Sequence, residues 1–122
     1  PPDEFLHLYD VLQRAQREQV NACLPGTPAE EIDRIGRGII TREGYGQYFI
    51  HRTGHGIGVE AHEEPYIVEG NKIPVTSGNV FSVEPGIYIP DKWGARIEDI
   101  VAVTDHEPHS LNTVDHNLAV LG

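Results

Sequence analysis

Apolar residues recur at Phe5, Leu8, Leu12, Ala15 and Ala22, with Gln19 completing the spacing and charged residues on the opposite side. That periodicity predicts an amphipathic helix from Asp3 to about Cys23. Leu24-Pro25-Gly26 stops it. Thr27-Pro28-Ala29-Glu30 reads as a capping box with proline at the first helical position. Ile32, Ile35, Ile39 and Ile40 then form the apolar stripe of a second helix ending near Gly44. After residue 45 the period shortens. Tyr66-Ile67-Val68, Val80 to Pro85 and Gly86 to Ile89 read as strands, Pro90 to Gly94 as a hairpin-like connection, and Ala95 to Val103 as one further strand. Two helices followed by strands predict an α+β fold, with both helices on one face of an antiparallel sheet.

Alternation assigns faces within the strands. Val80, Ser82 and Glu84 share one face, and Phe81, Val83 and Pro85 the other. In the last strand Ile97, Asp99 and Val101 oppose Arg96, Glu98, Ile100 and Ala102. Glu84 and Glu98 therefore sit in apolar-rich strands, where an unpaired carboxylate is costly. Either both reach solvent, or Glu98 pairs with Arg96 on the same face, or both contribute to a shared metal site.

Histidine sharpens the choice. The fifteen residues from His51 to Pro65, HRTGHGIGVEAHEEP, hold three of the chain's seven histidines and three glutamates. Imidazole and carboxylate together suit a divalent transition metal, whereas glycines around His55 also suit a surface loop. The pattern is not the HExxH of zincins.

Composition narrows the partners. A chain of 122 residues with 39 % apolar content accommodates one modest soluble domain, and no run is long enough to span a membrane. The formal charge of -10 repels phosphate backbones and argues against nucleic acid. The lone Cys23 allows no internal disulfide, fits a cytoplasmic setting and reads as a buried or indifferent thiol. The absence of methionine and the Pro1-Pro2-Asp3 opening lead us to expect a piece of something larger.

The runs HRTGHGIGVEAHEEPY, FSVEPGIY and ARIEDIV, in this order and spacing, resemble the C-terminal half of the pita-bread metallopeptidases, which include methionine aminopeptidase, aminopeptidase P, prolidase and the metal-free creatinase. The resemblance covers essentially the whole chain, residues 1–122, as the C-terminal part of a catalytic domain with a curved sheet. It implies that His55 and Glu84 bind one of two adjacent metal ions and that Glu98 bridges both. Manganese is the expected metal, with cobalt or zinc as alternatives. It further implies that His62 contacts the substrate or stabilises the tetrahedral intermediate, and that Glu84 shuttles a proton from metal-bound water, whose hydroxide attacks the peptide bond. His51 and Arg96, matched to substrate-side groups, resemble aminopeptidase P and prolidase rather than methionine aminopeptidase, which implies cleavage of Xaa-Pro bonds in proline-containing peptides.

The same resemblance implies two aspartate ligands from an upstream half that no aspartate here matches; Asp3, Asp10 and Asp33 lie on the helices. The chain alone is therefore expected to be inactive, to bind at most one ion weakly, and to associate as a homodimer through the sheet edge that faces the missing half. Two other readings stay open: a metal-free binding module or pseudoenzyme of the same fold, and a self-contained mononuclear hydrolase using His55, Glu84 and Glu98.

Overall fold

A computed structural model of the chain describes residues 2–57 and 63–111. Helix α1 spans Asp3–Asn21 and α2 spans Ala29–Arg42; a 3-10 turn, Gly46–Tyr48, follows. The strands are β1 (Gly54–Gly56), β2 (Glu63–Ile67), β3 (Val80–Val83), β4 (Gly86–Ile89), β5 (Trp93–Arg96), β6 (Asp99–Ala102) and β7 (His109–Ser110). The α+β expectation holds, with two helices packed on antiparallel strands.

Helix α1 buries Leu8, Val11, Leu12, Ala15, Gln16 and Gln19, which keeps the expected face, Gln19 included, and adds Val11 and Gln16 to it. Both glutamine amides are bonded. Gln16 donates to Asp99 at 2.8 Å, and Gln19 donates to the Ile32 carbonyl at 3.1 Å and to the Thr53 hydroxyl at 3.0 Å. The two helices meet closely at Gly36, where a Cβ would stand 2.2 Å from the Gln19 side chain.

The start of α2 departs from the predicted capping box. Pro28 is the N-cap, outside the first turn, and no side chain caps the helix. The free N–H groups are instead taken by a neighbouring loop: Ala29 N donates to Ile73 O at 3.0 Å and Glu30 N to Asn71 O at 2.7 Å. Glu30 is buried and turns toward Arg34, 3.4 Å away, rather than back to Thr27.

Five strands form one sheet in the order β2-β1-β3-β6-β7, all neighbours antiparallel. Strands β4 and β5 form a separate hairpin. Helix α2 and the end of α1 cover the sheet through Cys23, Ala29, Ile32, Ile67, Phe81, Val83 and Val101. Helix α1 and Ile40 of α2 cover the hairpin side through Leu8, Leu12, Phe49, Ile87 and Ile97.

The predicted single strand from Ala95 to Val103 is two strands, β5 and β6, separated by Ile97 and Glu98. The break mirrors Glu84-Pro85 on the other side: β3 pairs with β6 as far as Val83↔Asp99, and β4 pairs with β5 from Gly86↔Arg96. Pro85 has no N–H to continue the ladder. Its carbonyl still accepts from Ile97 N at 3.3 Å. The register is the same on both sides of the gap, which sets Glu84 opposite Glu98.

Candidate functional site

The face assignments read from alternation hold. Phe81, Val83, Ile97, Asp99 and Val101 are buried, as is Pro85. Glu84 and Glu98 therefore meet on the other face, at the gap between the two ladders. Glu98 hydrogen-bonds to Glu84, and that contact chiefly raises its pKa; burial and the Glu84 charge add to the rise, while Arg96 and His55 oppose it. Arg96 is thus a modest counter-charge rather than the main partner of Glu98. Like charges set opposite each other across a strand pair are unfavourable, and a shared proton or a cation relieves them.

His55 reaches the same place by register. Gly56 pairs with Phe81, so His55 lies opposite Ser82, on the Glu84 face of β3. The strands are tightly apposed here: the His55 N–H donates to the Ser82 hydroxyl at 3.1 Å, and a Cβ on Gly54 would lie 1.7 Å from the Ser82 carbonyl oxygen. Gly54, beside His55, serves close strand packing rather than a surface loop. Nδ1 of His55 lies 3.0 Å from the Gly56 carbonyl, an acceptor, so Nδ1 carries the proton and Nε2 the lone pair. Metal-binding histidines have this arrangement.

An open pocket of about 500 Å³ is lined by His51, Arg52, His55, Val68, Glu84 and Arg96. Four of the six residues singled out from sequence share it, and Glu98 touches it through Glu84. The remaining one, His62, lies outside the described residues. Among the described residues no group of three or more His, Cys, Asp and Glu side chains is arranged to hold a metal ion by itself. The donors still suit a divalent cation: one imidazole with its Nε2 lone pair set, and two adjacent carboxylates carrying like charge. They make a partial ligand set.

Several residues behind the pocket escaped the sequence reading. Asp33 is buried on α2 and pairs with Arg37 through two bonds, of 2.9 and 3.1 Å. Arg37 also donates to the carbonyls of Phe49 (2.7 Å) and His51 (2.8 Å). Tyr88 flanks the His51 ring at 5.7 Å. The i,i+4 spacing of Asp33 and Arg37 was a visible signal, but it equally suits a solvent-exposed pair. Cys23 is buried, as expected, and burial pushes its thiol up to about 12. No helix among the described residues is long and apolar enough to cross a membrane.

The chain is similar to known peptidases over nearly its whole length. The chain is 50 % identical over 121 residues to a probable dipeptidase PepE of Mycobacterium tuberculosis, covering 99 % of this chain and 32 % of the relative. It is 46 % identical over 121 residues to a Xaa-Pro dipeptidase of Lactobacillus helveticus, covering 99 % of this chain and 33 % of that protein. A solved Xaa-Pro dipeptidase from Bacillus anthracis superimposes with a TM-score of 0.96 at 39 % identity, over 99 % of this chain and 34 % of the other. The chain thus spans about a third of the length of the relatives it matches. Metallopeptidase family M24 matches residues 1–105, and the chain belongs to that family.

Proposed function

We propose that the chain forms the C-terminal part of the catalytic domain of a larger Xaa-Pro peptidase, a dipeptidase or an aminopeptidase, acting in the cytoplasm. The observation that carries this reading is the meeting of His51, His55, Glu84 and Arg96 in one pocket, with Glu98 against Glu84. In this reading Nε2 of His55 and the carboxylates of Glu84 and Glu98 hold divalent metal, Mn²⁺ first among the candidates, and two further carboxylates come from elsewhere in the larger protein. Bound metal would acidify water and polarise the scissile carbonyl.

The chain's own groups do the rest. A carboxylate oxygen of Glu84 accepts the proton of the attacking water as the new C–O bond forms. It returns that proton to the prolyl nitrogen as the C–N bond breaks, leaving a carboxylic acid and a secondary amine. A prolyl nitrogen offers no N–H for recognition. Binding therefore falls to ring shape and to polar groups around it, the role assigned to His51, Arg96 and, from the sequence, His62.

By itself the 122-residue chain would carry too few ligands for two ions, and the sheet edges left by a partial domain favour a homodimer. The test is hydrolysis of an Xaa-Pro dipeptide and an Xaa-Pro tripeptide by the full-length protein with Mn²⁺. Cleavage of either supports the reading and separates dipeptidase from aminopeptidase. Binding of the peptides without cleavage under any of Mn²⁺, Co²⁺ and Zn²⁺ would favour the pseudoenzyme reading instead.

A further inference from the structure

We propose that the Asp33–Arg37 pair of α2, a buried carboxylate gripped by a partly exposed guanidinium, is a positioning clamp. It fixes the backbone that carries His51 and, through Thr53, the backbone of Glu84, in one relation to each other. The proposal rests on the functional reading above, in which both residues serve the pocket. Neither Arg37 nor Asp33 lines that pocket.

The connections are short and directional. Nε and Nη2 of Arg37 grip the two oxygens of Asp33, while Nη1 and Nη2 hold the carbonyls of Phe49 and His51. The same Asp33 oxygen that meets Nη2 accepts from the Thr53 hydroxyl at 2.7 Å, and Gln19 donates to that hydroxyl. Thr53 is buried, and its carbonyl accepts the Glu84 N–H at 2.7 Å. One ion pair therefore controls both walls of the pocket.

The ring of His51 is held as well. The Arg37 guanidinium lies 3.9 Å from the Phe49 ring centroid, and Phe49 meets His51 edge-on at 5.2 Å. Nδ1 of His51 donates to the Arg52 carbonyl at 2.7 Å, which leaves Nε2 as the lone-pair nitrogen; it is buried and has no hydrogen-bond partner among the described residues.

A buried ion pair adds little stability relative to apolar residues of similar volume. What an apolar pair cannot supply is the guanidinium fork, which holds a carboxylate and two carbonyls in set directions. Active-site geometry tolerates displacements of well under 1 Å, on the order of half of one, before rate is lost. The pair therefore reads as a device for position, with Arg37, Asp33 and Thr53 as positioning residues.

The test uses the full-length protein in two forms: Arg37→Lys, which keeps the charge beside Asp33 but loses the fork, and the double variant Asp33→Leu/Arg37→Met, which fills the space without charge. Two quantities are read on each: kcat and KM for an Xaa-Pro dipeptide, and the ¹⁵N signals of the His51 ring. We expect kcat/KM to fall by roughly tenfold or more with melting temperature nearly unchanged, as outer-shell substitutions do. The ring should change from a single Nδ1–H tautomer to a mixture. A folded Arg37→Lys protein with unchanged kcat/KM and an unchanged ring tautomer would overturn the clamp. If the wild-type protein cleaves no Xaa-Pro bond, the functional reading fails, and the His51 ring signals in Arg37→Lys still decide the clamp: a changed tautomer supports it, an unchanged one refutes it.

Discussion

Glu84 and Glu98 face each other across the gap between two β-ladders, and their carboxyl groups share a hydrogen bond that raises the pKa of Glu98. Two adjacent carboxylates are a poor arrangement for stability and a good one for gathering positive charge. Glu98→Gln replaces one of the two carboxylates with an amide that can donate to Glu84 at any pH. We predict that the variant, stripped of metal, melts no lower than the wild type, while the full-length protein loses Mn²⁺ affinity and Xaa-Pro hydrolysis. Calorimetry on the apo forms and a Mn²⁺ titration check both halves of that statement.

The apposition of β1 and β3 makes Gly54 sensitive. Its Cβ would stand 1.7 Å from the Ser82 backbone oxygen, which no side-chain rotation can relieve. Gly54→Ala should cost about 3 kcal/mol or more as the strands are forced apart. By contrast, Gly38 lies in α2 with its nearest prospective neighbour 3.4 Å away, at the end of the Arg42 side chain. Gly38→Ala should stabilise by about 0.5–1 kcal/mol through helix propensity and chain entropy. Urea unfolding of both variants tests the contrast.

Two adjacent residues of α2 should differ as sharply. Asp33 is buried and bonded to Thr53 and to Arg37, which is partly exposed, so Asp33→Ala strips both of a partner and should cost about 3 kcal/mol, the low end for a buried pair. Arg34 pairs with Glu69 at the surface, where solvent and salt screen the interaction. Arg34→Ala should shift the unfolding midpoint little, and less still at high salt.

The helices and most strand positions were legible because hydrophobic period alone sets them, and the buried set of α1 follows that period closely. The faces of β3 and of residues 97–101 were legible for the same reason. What periodicity could not convey was pairing. Nothing in Ala95 to Val103 marks an interruption, because the cause, Pro85, belongs to the other strand. The failed capping box at Thr27 has a similar origin: residues 71 and 73 supply the carbonyls that α2 needs, and that contact is tertiary. The i,i+4 spacing of Asp33 and Arg37 suits an ordinary surface pair equally well; what sets it apart, the Phe49 and His51 carbonyls that Arg37 holds, comes from a different part of the chain. The candidate site residues were picked out through resemblance to a family, while the meeting of His51, His55, Glu84 and Arg96 in one pocket depended on register.

Burial holds the Cys23 thiol neutral, with its pKa raised from 9.0 to about 12. In the unfolded chain the thiol ionises near its ordinary value, so the folded state binds the proton more tightly. Its contribution to stability is full below pH 9.0 and declines as pH rises toward about 12. Cys23→Ala should remove that part of the alkaline decline, seen by comparing urea midpoints of the two proteins across the window. At pH 8 the native thiol should resist iodoacetamide until the protein is unfolded.

In the proposed reading His55, Glu84 and Glu98 serve one metal-dependent centre. An anomalous difference map from crystals of the full-length protein grown with Mn²⁺ tests it most directly. The expected result is a manganese peak in direct coordination with Nε2 of His55 and with carboxylate oxygens of Glu84 and Glu98, lost in His55→Ala crystals. Manganese bound only elsewhere, with these three side chains outside its coordination sphere, would contradict it.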